Sequence, residues 1–103
     1  MADQLPEGLG IENVWAIEAT YGPDAAVRRA PVRNEHIERF GRLIDAGVVL
    51  EVGGFLDMSG SLVLIRAATE EEALAIVRDD VYARTGVWTG FRSRAMGRVV
   101  KLA

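Results

Sequence analysis

The chain holds a single histidine, His36, so every role that needs an imidazole falls on one side chain. Imidazole titrates nearest neutral pH of the ordinary side chains, which suits it to general acid–base work. His36 stands four residues before Phe40 and seven before Leu43, which places it on the apolar arc of a helix shared with Ile37 and Ile44. Arg33 is three residues earlier and falls on the same side. The opening turn of that helix therefore aims a base and a cation inward. A hydrogen-bonded core histidine is the plainer reading of the same position, because buried polar groups find partners.

Asp80 draws notice for a different reason. Together with Asp79 it ends the second predicted helix, where a carboxylate meets the negative end of the helix dipole. That placement is disfavoured by roughly 0.3–1 kcal/mol. A protonated or hydrogen-bonding His36 would compensate, and so would a local capping role at the turn over residues 81–84. If the two side chains meet, His36 would move a proton on a small anionic or phenolic substrate while Asp80 orients the ring and stabilises its charged form. Arg33 would hold a carboxylate or phenolate. Tyr21, Ser61 and Tyr82 are further candidates for polar contacts with a ligand. Gly53 and Gly54 would let the backbone approach it, or else form a bulge that serves folding alone.

Other chemistries lack their residues. With no cysteine, disulfides, thiolate catalysis and cysteine-ligated metals are excluded, and one histidine makes no structural zinc site. Gly53-Gly54 has no Lys-Ser/Thr partner and is no phosphate loop. No nucleophile elbow surrounds Ser59, Ser61 or Ser93. Trp15 and Trp88 are expected in the core or at a dimer interface.

The elements that position these residues follow from periodicity. Residues 1–12, with Pro6, Gly8 and Gly10, read as a flexible lead-in to a single domain over 13–103. A strand over 14–21 stops at Gly22-Pro23, and a loop over 22–31 follows. The first helix is expected over 31–46, with Gly47 as its left-handed C-terminal cap. Strands over 48–56 and 61–67 make a hairpin. A second helix opens with Thr69 and Glu72 in capping-box spacing. A last strand spans 87–96, with a tail to residue 103. The order βαββαβ is the ferredoxin-like split βαβ arrangement, an α+β fold whose antiparallel sheet carries two helices on one face. Its other face should be wet, yet Leu62-Val63-Leu64-Ile65 points apolar residues to both faces. A facing second copy, giving a homodimer, is the expected cover, and a tail over 97–103 folded back as a lid is the alternative.

Composition narrows the partners. The 103 residues suit one domain with its own core, and a hydrophobic fraction of 50% with 26% charged residues excludes a disordered chain. The 12 basic residues are scattered among 15 acids for a net charge of -3, which leaves no footprint for nucleic acid. No signal peptide opens the sequence, and no apolar run could cross a membrane, so a cytoplasmic location is the default expectation.

Several segments resemble the YCII-related family. Arg33-Asn34-Glu35-His36 is similar to its Arg-x-x-His helix opening, and Val52-Gly53-Gly54-Phe55 to its glycine-containing second strand. Gly60-Ser61-Leu62-Val63 resembles its Gly-Ser strand start, and Asp80-Val81-Tyr82 its Asp-Pro-aromatic turn leading to Gly86-Val87. The resemblance implies a dimeric α+β barrel and an active site centred on His36 and Asp80, with no cofactor. It also implies a lyase or isomerase activity of the dehydrochlorinase kind; a non-catalytic ligand-binding or regulatory dimer is the alternative. Val81, Gly54 and the pair Asn34-Glu35 depart from residues common in the family, and each alters the shape of the pocket rather than its reactive groups.

Overall fold

The computed structural model describes residues 4–102. Its elements run β1 (Leu9–Tyr21), α1 (Ala25–Arg29), α2 (Arg33–Asp45), β2 (Val49–Gly54), β3 (Gly60–Ile65), α3 (Glu70–Arg78), α4 (Val81–Arg84) and β4 (Trp88–Lys101). The strands form one sheet in the order β2-β3-β1-β4, with every neighbouring pair antiparallel. This is the ferredoxin-like arrangement. The two long helices are joined on the same side of the sheet by the single-turn helices α1 and α4, whose Ala25, Val81 and Tyr82 enter the common core. Among the described residues, no helix is long and apolar enough to cross a membrane.

The core lies between the helices and one sheet face. Ile17, Val63 and Ile65 from the sheet are fully buried against Phe40, Ala73 and Val77 from α2 and α3. In α3, Thr69 accepts a hydrogen bond from the Glu72 amide at 3.2 Å, as the capping spacing predicts. Glu72 reaches back to the Ala68 amide at 3.2 Å instead of completing the box on Thr69. Gly47 has φ 76 at the end of α2, the left-handed conformation expected of a terminal glycine.

Four expectations need correction. The lead-in is shorter than 12 residues: residues 9–12 belong to β1 and pair with residues 98–101 of β4. Residues 1–3 of that segment lie outside those described. Glu12 helps to hold the extension, because its carboxylate receives Arg66, just past the end of β3, at 2.6 Å and Arg98, its register partner on β4, at 3.0 Å. The tail is no lid, since residues 97–101 continue β4 along β1. The presumed loop over 22–31 contains helix α1. Finally, α2 does not bury its whole apolar arc: His36 and Phe40 are buried, whereas Ile37 and Ile44 are 49% and 45% exposed. These two side chains face a cleft instead.

The sheet face away from the helices is partly apolar. Register puts Leu62 opposite Glu18, Leu64 opposite Ala16, and Val14 opposite Met96 on that side. Charged pairs border the strip, with Arg94 and Glu18 at 2.8 Å.

Candidate functional site

Asp80 ends α3's turn and begins α4, and its carboxylate is fully buried there. Three donors converge on it. His36 Nδ1 lies 2.6 Å from Oδ2, the Tyr82 amide donates to Oδ2 at 3.1 Å, and Arg39 Nη1 donates to Oδ1 at 3.1 Å. Burial alone would push this carboxyl up. The hydrogen bonds from His36 and Tyr82, the attraction of the His36 ring when it is protonated, and Arg39 outweigh it and hold the group below 3.8. The carboxylate acts both as the cap of α4 and as the orienter of His36, so the two readings of Asp80 coexist. Because an ionised carboxylate only accepts, the short contact calls for a proton on Nδ1. Nε2 is then the nitrogen left for a proton transfer.

Aromatic rings fix the imidazole plane. Tyr82 stacks on it with centroids 3.7 Å apart and planes within 2°. Phe40 tilts against it at 4.9 Å, and Trp88 meets it edge-on at 5.3 Å. His36 is only 8% exposed, and it forms part of the wall of a cleft of about 490 Å³ between α2, the β2–β3 hairpin and the start of α4.

Of the residues singled out in the sequence, His36, Arg33, Tyr21, Gly54, Ser61 and Tyr82 all line this cleft. Asp80 stands behind His36 and is not part of the lining. Ser61 is tied into the wall: Trp88 Nε1 donates to its Oγ at 3.1 Å, and Oγ donates to the Tyr21 hydroxyl at 3.3 Å. Gly54 has a definite reason to be glycine, since a Cβ there would lie 2.9 Å from the Tyr21 hydroxyl. Burial and the nearby Tyr21 raise the Tyr82 phenol above 10.0, against the opposing pull of Arg29 and Arg33. It stays a neutral hydroxyl at physiological pH.

Two residues were not foreseen. Arg39 clamps the far oxygen of Asp80 and reaches Asp79 at 3.9 Å. Its place three residues after His36 was a usable sign, because such neighbours share a helix face. Arg29 lines the cleft beside Arg33 and was hidden in a segment read as loop. The cleft lining thus contains two guanidinium groups and no carboxylate. Among the described residues, no three His, Cys, Asp or Glu side chains gather where a metal ion could be held.

The chain is thus a ferredoxin-like α+β fold with an aromatic-caged His–Asp pair beside an arginine-lined cleft. The chain matches the YCII-related domain over residues 14–94, and it belongs to the YCII-related family. It is 30% identical over 83 residues to derivative of benzaldehyde biosynthesis cluster protein C of Emericella nidulans, a match covering 70% of this chain and 85% of that protein. Among solved structures it is similar to 5-chloro-2-hydroxyhydroquinone dehydrochlorinase from Burkholderia phenoliruptrix, in complex with 2,5-dihydroxybenzoquinone, with a TM-score of 0.67. That match is 19% identical and covers 79% of this chain and 90% of the other, a likeness of fold.

Proposed function

We propose that this chain is a cofactor-independent lyase or isomerase in which His36 moves protons on a small anionic or phenolic substrate, in the manner of a dehydrochlorinase. The observation that carries the reading is the buried Asp80 held 2.6 Å from His36 Nδ1, on the side of the ring away from a cleft that offers two arginines and no competing acid. Nε2 takes a proton from a substrate hydroxyl, and Asp80 stabilises the imidazolium that results. Arg29 and Arg33 stabilise the phenolate as its charge develops. On a chlorinated polyhydroxy-aromatic, two hydroxyls lose protons, one proton is delivered to the ring carbon bearing chlorine, and chloride leaves with the C–Cl electron pair. The net loss is HCl, with no external oxidant, and one histidine can both give and take the protons.

The test incubates the folded protein with chlorinated and chlorine-free polyhydroxy-aromatics in deuterated buffer. Chloride release from the first set and deuterium uptake at ring carbons of the second are the expected outcomes. A folded protein that binds these compounds yet does neither is a binding module, and the enzymatic reading falls.

The proposal includes a homodimer in which the uncovered sheet faces meet across Ala16, Leu62 and Leu64. Half-buried apolar side chains in a continuous strip are ordinarily covered by a partner. Sedimentation equilibrium should give about twice the 11.2 kDa chain mass, and the double variant Leu62→Glu, Leu64→Glu should return it to one chain. A wild-type protein that sediments as a single chain at high concentration overturns the dimer.

A further inference from the structure

The side of α2 that leaves the core carries a stripe of its own. Arg33, Ile37, Gly41 and Ile44 recur at helical spacing, and all four line the cleft. From Arg33 to Ile44 the helix rises about 16 Å. Across the cleft from this stripe, the β2–β3 hairpin contributes Val52, Phe55, Leu56 and Met58. Four of the large apolar side chains left exposed by the fold, Ile37, Ile44, Phe55 and Leu56, therefore converge on one groove. Gly41 adds no side chain to obstruct it, and nothing lies within 4 Å of where its Cβ would be. The cations stand at the other end: Arg29 and Arg33 act on the Tyr82 phenol, which stacks on His36.

The cleft is larger than one ring requires. A cavity of about 150 Å³ holds benzene, whereas this cleft offers about 490 Å³. The surplus is lined by apolar side chains, which reward hydrocarbon and penalise further charge.

We propose that the ligand is an amphiphile: an anionic hydroxylated ring seated at Arg29, Arg33 and His36, bearing an alkyl or alkenyl chain of several carbons along Ile37, Gly41 and Ile44 under Phe55 and Leu56. This deepens the functional reading by naming a substrate class, and it rests on that reading for the placement of the ring. Two observations select a chain of the ligand over a protein partner as the occupant. The apolar groove is continuous with the His36 cleft, and its charged end matches an anionic ring.

The test measures binding and is independent of turnover. Dissociation constants are obtained by calorimetry for dihydroxybenzoate and for its propyl, pentyl and heptyl derivatives, using the full-length protein. Affinity should rise about 2- to 4-fold per added methylene until the groove is filled. Ile44→Ser and Leu56→Ser should flatten that dependence, while Val27→Ser, on an exposed side chain outside the cleft, should leave it as it is. A dependence that is flat in the wild-type protein, or that survives both groove variants, overturns the proposal. Tight, chain-dependent binding without any proton transfer would retain the amphiphile site and remove only the enzymatic reading.

Discussion

Asparagine in place of His36 should lower turnover about 10²–10⁴-fold, the usual contribution of a positioned acid–base group, and leave the fold standing. That loss corresponds to about 3–5 kcal/mol of transition-state stabilisation. The choice of asparagine matters. Its side-chain amide can still donate to Asp80 where Nδ1 does now, at 2.6 Å, so the buried carboxylate keeps a partner. What disappears is the second ring nitrogen and its ability to carry a proton. Initial rates with whichever polyhydroxy-aromatic is turned over, set beside thermal unfolding of both proteins, separate the two roles of His36. Lost turnover with an unchanged unfolding midpoint assigns it to chemistry. Full activity, or unfolding with no separable catalytic effect, returns it to the core.

Asp80→Ala should act on stability before it acts on rate. The carboxylate is fully buried and satisfies a ring nitrogen, a guanidinium and a backbone amide at once. Removing one partner of a buried charged pair typically costs about 3–5 kcal/mol, against a total of about 5–15 kcal/mol for a domain. Urea unfolding should show a large drop in midpoint, and a drop under 1 kcal/mol would mean that Asp80 is not the hub described. Acid gives an independent reading. The folded state holds Asp80 below 3.8, so in acid the unfolded chain binds the extra proton and stability rises with pH there. The contribution of Asp80 is complete above about pH 3.9 and is lost as pH falls through the lower, folded-state value. Asp80→Asn should therefore flatten the stability profile below pH 4. An unaltered acid limb would assign that limb to other carboxylates.

Much of this was legible in the sequence because the signals are local. The strand and helix types, the capping Thr69 and the terminal Gly47 each depend on a few neighbouring residues, and each found its place in the structure. The meeting of His36 with Asp80 was anticipated only through a family resemblance and a mild dipole argument, since residues 44 positions apart in sequence leave no periodic trace of their contact. Arg39 and Arg29 were missed on the same ground: each acts across elements. The start of β1 was hidden because Gly8 and Gly10 carry a loop signature, while the partners of Glu12, Arg66 and Arg98, lie 54 and 86 residues away in sequence. The division of α2 into a buried and an open stripe depends on which distant segments pack against it, and no helical count contains that.

The length of β1 and β4 has a consequence for how the molecule breathes. β3 joins β1 only from Trp15 onward, so residues 9–14 pair with β4 alone, out to Leu9 opposite Lys101. A two-stranded ribbon is marginal by itself, and amides there can exchange with solvent through local opening at little free-energy cost. The opening would start at the Leu9–Lys101 end and run inward until it met the buried Val14 and then Ile17, where further separation means exposing buried apolar side chains. The Tyr21 and Trp88 ends of the same two strands border His36, at the other extreme of the ladder. Opening of this kind would begin at the end of the ladder away from the His36–Asp80 pair.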